Sequence, residues 1–185
     1  MKTLMHDTGD LFRLPRWNRI PDVGLYMDQL ITFINSSFEP FAEKMGLKPI
    51  TKNMINNYVK ARIVEAPVNK LYFRPSVAMV VVVYLVKSCY STEEAGKLIR
   101  LGLSVKDVEL SYNGFCDAIE LAVRGIFAGA DEPACAGSIE QKKYIMEHFV
   151  LSLACKYYVN AGFLSDSESY LDEQRGESDK DEHNS

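Results

Sequence analysis

Apolar side chains recur along this chain with helical spacing in most segments and with strand-like character in only two. Leu25, Leu30, Ile31, Ile34 and Phe38 predict an amphipathic helix running to about Ser37, with Asp22 able to cap it. Pro40 to Gly46 reads as a short second helix. Thr51 is a good N-cap, and behind it Met54, Ile55, Tyr58 and Val59 form one apolar stripe. Lys52, Asn53, Asn56, Asn57 and Lys60 lie opposite. At about 100° per residue these five fill an arc of about 140° that no apolar side chain interrupts.

Two β-prone pieces follow, Ile63-Val64 and Leu71-Tyr72-Phe73, and the turn-favouring Pro67 and Asn69 between them predict a small hairpin. The apolar run from Ala78 to Val86 suits a strand or a helix by composition; Pro75, fit for a first helical turn, favours a helix reaching Lys87. Ser91 and Glu94 make a capping box for a helix that Gly102 can end. Ser104 with Asp107 opens a long helix to Gly129, carrying Val108, Tyr112, Phe115, Ile119, Ala122 and Ile126 on one stripe, with Asn113-Gly114 as a place for a kink. Ser138 with Gln141 opens the last helix, which runs to about Ala161 before Gly162. The two long helices form a hairpin.

At 185 residues and 47% hydrophobic content the chain can bury an ordinary core. Its longest apolar run, Ala78 to Val86, is nine residues, less than half of the ~20 that cross a bilayer, and the N-terminus places Asp7, Gly9 and Asp10 where a secretory signal would be apolar. A cytoplasmic protein away from membranes is expected. The four cysteines contain no C-x-x-C pair and read as buried, reduced thiols. With three histidines, two of them in the terminal segments, neither a metal centre nor a histidine-based triad is well supplied. No cofactor and no enzymatic activity are expected.

Charge changes the picture. Residues 165–185 hold eight acids and two bases, a net of −6, and read as a disordered tail. Residues 44–74 carry Lys44, Lys48, Lys52, Lys60, Arg62, Lys70 and Arg74 against the single acid Glu65, a local +6. Within that stretch the three asparagines of the 51–60 helix cost roughly 0.5 kcal/mol each relative to alanine, a choice against local stability. Lys52 sits in a first turn, where a cation is disfavoured unless a phosphate also binds. Asparagine pairs bidentately with adenine N6 and N7, so Asn53, Asn56 and Asn57 are candidates for reading bases. Lys52, Lys60, Arg62, Lys70 and Arg74 are candidates for holding phosphates, although Arg74 could instead cap or pair locally, and Tyr72 is either a further contact or core.

A donor-rich helix followed by a two-stranded turn outlines a winged helix-turn-helix. The run ITKNMINNYVKARIVEAPVNKLYFRPSVAMVVVVYLVKSCYSTEEAGKLI, about residues 50–100, resembles the MerR-type DNA-binding region, with ARIVEAP at the start of the wing and LYF at its end. LPRW at Leu14 to Trp17, LYMDQ at Leu25 to Gln29, MINNYVK at Met54 to Lys60 and the STEE segment resemble a bacterial family catalogued as domain of unknown function 1836, regarded as transcription regulators.

The expected organisation is mainly α. A flexible start (1–13) precedes a MerR-like winged helix-turn-helix domain with a small β-hairpin wing (14–103). A C-terminal long-helix hairpin for dimerisation or effector binding (104–164) and the acidic tail (165–185) complete it. The expected function is sequence-specific DNA binding by a transcriptional regulator, with helix 51–60 in the major groove and the wing, 61–74, on the backbone. The alternative is a protein-protein interaction module that keeps the fold without binding DNA. A homodimer on double-stranded DNA is expected, because one such unit reads only a half-site. A small-molecule effector among the aromatics of the long helices is a lesser expectation.

Overall fold

The computed structural model describes residues 9–102, 107–129 and 141–161. After a 3-10 turn at Trp17–Arg19 come six α-helices: α1 (Met27–Phe38), α2 (Lys52–Lys60), α3 (Arg74–Val86), α4 (Thr92–Gly102), α5 (Val108–Phe127) and α6 (Gln141–Val159). The expected tail, 165–185, lies outside the described residues, as do Ser104, Cys135 and Ser138.

Local chemistry accounts for most helix ends. The Tyr26 N–H donates to the Gln29 carboxamide at 2.9 Å ahead of α1, whereas Asp22, expected as the cap, pairs with Arg74 at 3.0 Å. Residues 39–46 form hydrogen-bonded turns in place of a second helix, and Gly46, at φ 67, ends them as the Leu47 N–H reaches back to the Ala42 carbonyl at 2.8 Å. Ser91 and Glu94 form the capping box of α4. Asp107 caps α5 through the Leu110 N–H at 2.9 Å, and α5 runs unbroken through Asn113 and Gly114.

The valine-rich α3 is buried on nearly every side, Val77, Val80, Val81, Val83, Leu85 and Val86 among its buried residues. Enclosure by apolar neighbours decides the conformation there over the β preference of valine. Around it the core is continuous. Phe12 meets Phe41 at 4.7 Å and Tyr157 of α6 at 5.7 Å between ring centroids. The Tyr157 hydroxyl donates to the Leu85 carbonyl and accepts from Ser88, and Asn160 donates from Nδ2 to the Met45 carbonyl at 2.7 Å. The two long helices, packed along each other, therefore share one core with the N-terminal half.

The LPRW segment is held against α5 by polar contacts. The Leu14 N–H donates to Glu120 Oε1 at 2.8 Å, and the Pro15 carbonyl accepts from the Tyr112 hydroxyl at 2.6 Å. Arg16 pairs with Glu120 and Asp117, each at 2.9 Å, and the Trp17 N–H donates to the Asn113 side chain at 3.0 Å. Glu120 is 3% exposed.

The expected β-hairpin wing is absent: the described residues contain no β-strand. Val68 and Leu71 exchange backbone hydrogen bonds of 3.0 and 2.9 Å around Asn69 and Lys70, whose φ values of 51 and 66 mark a two-residue turn, and the pairing goes no further. The reason lies in where the flanking backbone bonds. The Ile63 and Val64 N–H groups return to the Tyr58 carbonyl at the end of α2, and Tyr72 exchanges both its bonds with Leu25, far upstream. The winged part of the expected fold is thus replaced by a helical body with one tight turn.

Of the described cysteines, Cys116 is buried as expected, while Cys89 and Cys155 are exposed. Among the described residues no helix is long and apolar enough to cross a membrane.

Candidate nucleic-acid interface

Helix α2 is fixed from three directions. Its inner face buries Ile55 (0% exposed) and Tyr58 (3%), with Met54 and Val59 half-buried beside them. The approach to it is pinned by Asn35 of α1, whose Oδ1 accepts from the Ile50 N–H at 2.8 Å while Nδ2 donates to the Ile50 carbonyl at 3.3 Å. Tyr84 of α3 donates to the Lys48 carbonyl at 2.6 Å. Thr51 then caps the helix through the Met54 N–H at 3.4 Å. Asn35 and Tyr84 escape sequence reasoning because a mid-helix side chain carries no sign of which distant carbonyl it will meet.

The exit from α2 is equally defined. The Ile63 N–H returns to Tyr58 and the Arg62 N–H to Val59, the paired bonds of a Schellman motif. Arg62 occupies the left-handed position of that motif at φ 56, where glycine is the usual choice. Holding an arginine there costs about 1 kcal/mol relative to glycine. The cationic side chain is kept against that cost.

On the outer face Lys52, Asn53, Asn57 and Lys60 are exposed, and Asn56 is half-buried at its margin. None of these five forms a side-chain hydrogen bond or ion pair with a described residue. Arg62 is exposed just beyond them, and Lys70 is exposed on the tight turn. Two candidates lie elsewhere. Tyr72 is 2% exposed and belongs to the core. Arg74 donates from Nε to the Ile20 carbonyl at 3.1 Å, pairs with Asp22 and lies 5.8 Å over the Trp17 ring, so it holds the N-terminal segment in place.

Beneath this face the Tyr58 hydroxyl is buried without a hydrogen-bond partner among the described residues, and burial pushes its pKa up to about 12. Tyr84 is likewise pushed up to about 12, by burial first and by neighbouring Tyr58 second. Because the fold favours the neutral phenols, this stabilisation is intact below about pH 10, the ordinary tyrosine value, and is lost as pH rises through the folded value. Tyr58→Phe removes the unsatisfied group and is expected to raise stability by about 1 kcal/mol at neutral pH. The loss of stability above about pH 10 should also be shallower than in the parent. Urea denaturation at several pH values checks both; a variant less stable than the parent would mean that the hydroxyl is satisfied by ordered water.

The molecule so far is a mainly helical protein presenting a short, acid-free helix face of amides and cations. The family described as Domain of unknown function (DUF1836) matches residues 15–115, more than half of the 185, and the chain belongs to that family. No curated protein and no solved structure matches the chain. The MerR-type resemblance of residues 50–100 gains no support from these matches. The family region takes in α1 to α4 and the first part of α5, and it stops short of Asp117 and Glu120.

Proposed function

We propose that the protein is a sequence-specific DNA-binding transcription regulator that lays α2 in a major groove. The observation that carries this reading is the outer face of α2, where amide and ammonium groups stand without partners among the described residues and without an acid among them. Asn53 and Asn57 are the base readers, with Asn56 at the margin. Lys52 stands at the helix N-terminus, where a phosphate would also meet backbone N–H groups, and Lys60, Arg62 and Lys70 flank it as further phosphate contacts.

The test is selection of a preferred site from a random DNA pool, followed by binding of variants. Asn57→Ala should cost about 1–3 kcal/mol on the preferred site and far less on random DNA, because the lost bonds go to bases. Lys60→Ala should weaken both alike and reduce the slope of log affinity against log salt by about one unit. Equal binding by parent and asparagine variant on every DNA would remove α2 as the reading element.

A homodimer follows from the same reading, because a two-fold site needs a two-fold protein. Leu110 and Leu121 of α5, 70% and 51% exposed, and Val159 of α6, 49% exposed, supply apolar surface for it. Light scattering of the free and DNA-bound protein checks the assembly. The interaction-module reading is favoured by another patch. Val23 and Tyr26 flank one side of the Leu25–Tyr72 pairing and Phe73 the other, and all three are exposed. Retention on heparin at low salt separates the two, since an interaction module without a nucleic-acid surface would pass through.

A further inference from the structure

Away from α2, between the N-terminal segment, α1 and α5, the surface opens into a cleft of about 710 Å³. Arg13, Arg16 and Arg19 line it from the N-terminal segment, and Arg124 and Glu120 from α5. Phe33 and Ser37 of α1 complete the wall beside Leu14 and Pro15. Four guanidinium groups thus share a cleft with one carboxylate, and that carboxylate is already used. Glu120 takes the Leu14 N–H on Oε1 at 2.8 Å and Arg16 on Oε2 at 2.9 Å. Arg16 in turn is held by Glu120, by Asp117 and by the Asn113 carbonyl, so its position is fixed.

The other three have no described carboxylate as partner. Arg13 donates to the neutral Phe12 carbonyl at 3.0 Å, and neither Arg19 nor Arg124 pairs with a described carboxylate. Arg19 is exposed, but Arg124 is half-buried, where an unpaired charge is costlier to hold. Like charges gathered at one concavity repel, and an anion seated between them adds an attraction to each that offsets the repulsion. The planar guanidinium fork matches carboxylate and phosphate oxygens bidentately, which a lysine cluster would not do. Phe33, Leu14 and Pro15 add an apolar wall that a bare inorganic ion would leave unused.

We propose that this cleft binds a small organic anion carrying a carboxylate or phosphate group. Arg13, Arg19 and Arg124 clasp the charged end, Arg16 is the fixed wall set by Glu120 and Asp117, and Phe33 meets the apolar part. The site stands apart from α2 and does not depend on the DNA-binding reading.

The experiment is a titration of the full chain with benzoate in one arm and phenyl phosphate in the other, at matched ionic strength, followed by thermal melting and calorimetry. The two arms distinguish a carboxylate from a phosphate ligand. At least one should give a saturable rise in melting temperature, and Arg19→Gln and Arg124→Gln should each weaken it by about tenfold or more. Arg19, exposed and unpaired, keeps the test decisive should the Arg124 variant alter the fold. Lys60→Ala, on the α2 face, should leave the titration unchanged. The proposal is overturned by the lack of a saturable shift in either arm up to about 10 mM. It is equally overturned by affinities that persist in both arginine variants, which would mark a general salt effect. Competition by duplex DNA that depends on Arg124 but not on Lys60 would assign the cleft to a nucleic-acid backbone and overturn it as well.

Discussion

Gly46→Ala is expected to cost the fold about 2–5 kcal/mol, far more than a methyl group added at an ordinary turn. Two effects combine. Gly46 sits at φ 67, where an alanine carries about 1–2 kcal/mol of backbone strain. A Cβ there would also lie 2.6 Å from Asn160 Nδ2 and 2.9 Å from its Cγ. Asn160 has no room to yield, because it is 8% exposed and Nδ2 is engaged with the Met45 carbonyl at 2.7 Å. Losing that buried bond adds about 1–3 kcal/mol. Gly129 provides the control. Its φ of 72 imposes the same strain, but no atom of a described residue lies within 4 Å of the added carbon, so Gly129→Ala should cost only the strain, about 1–2 kcal/mol. Urea denaturation of the two variants side by side measures the difference. Equal losses would show that Asn160 moves aside freely and does not tie α6 to the turn before α2.

Glu120→Ala is expected to have an effect of similar size, about 2–4 kcal/mol, by detaching the N-terminal segment from α5. It strands the Leu14 N–H and removes the inner partner of Arg16. The figure is set toward the lower part of the range for breaking a buried pair, since Arg16 is a third exposed and retains Asp117. Asp117→Ala should cost less than about 1 kcal/mol, because that carboxylate is 72% exposed and its pairing is screened by water. The single tryptophan, Trp17, lies in the released segment and is half-buried, so its emission should shift to the red in Glu120→Ala and stay in place in Asp117→Ala. An unshifted spectrum with full stability in Glu120→Ala would show that packing alone holds the segment.

What could be read from the sequence was local. The division of α2 into a buried stripe of Ile55 and Tyr58 and an opposite face of Lys and Asn follows from the helical period, which needs no knowledge of neighbours. Helix α5 is capped by Asp107, which the spacing makes the partner of a cap at Ser104, whereas the capping residues of α2 and α4 act within one turn and were legible for the same reason. The wing was not. Ile63-Val64 and Leu71-Tyr72 have β-prone composition, but a ladder needs both pieces free to pair, and their backbone groups are taken by Tyr58 and Leu25. The outward reading of Tyr72 and Arg74 went with it: Tyr72 is core, and Arg74 pairs locally, the other reading open to each. The arginine cleft was illegible for a different reason: Arg13 to Arg19 and Arg124 are more than a hundred positions apart at their nearest to Arg124, and only the docking of the N-terminal segment on α5 brings them together.

That docking also constrains how the chain can acquire its structure as it is made. The bonds from residues 14–17 to α5 span 96 to 106 positions, and the one from Asn160 to Met45 spans 115. During synthesis at about 5–20 residues per second, the N-terminal segment therefore emerges several seconds before its partners exist. The Leu14 and Trp17 N–H groups lack their α5 acceptors through the making of α1 to α4. Closure of the core awaits the making of α5 and α6, and nascent chains halted before Asn113 should leave Trp17 more open to water than in the full chain.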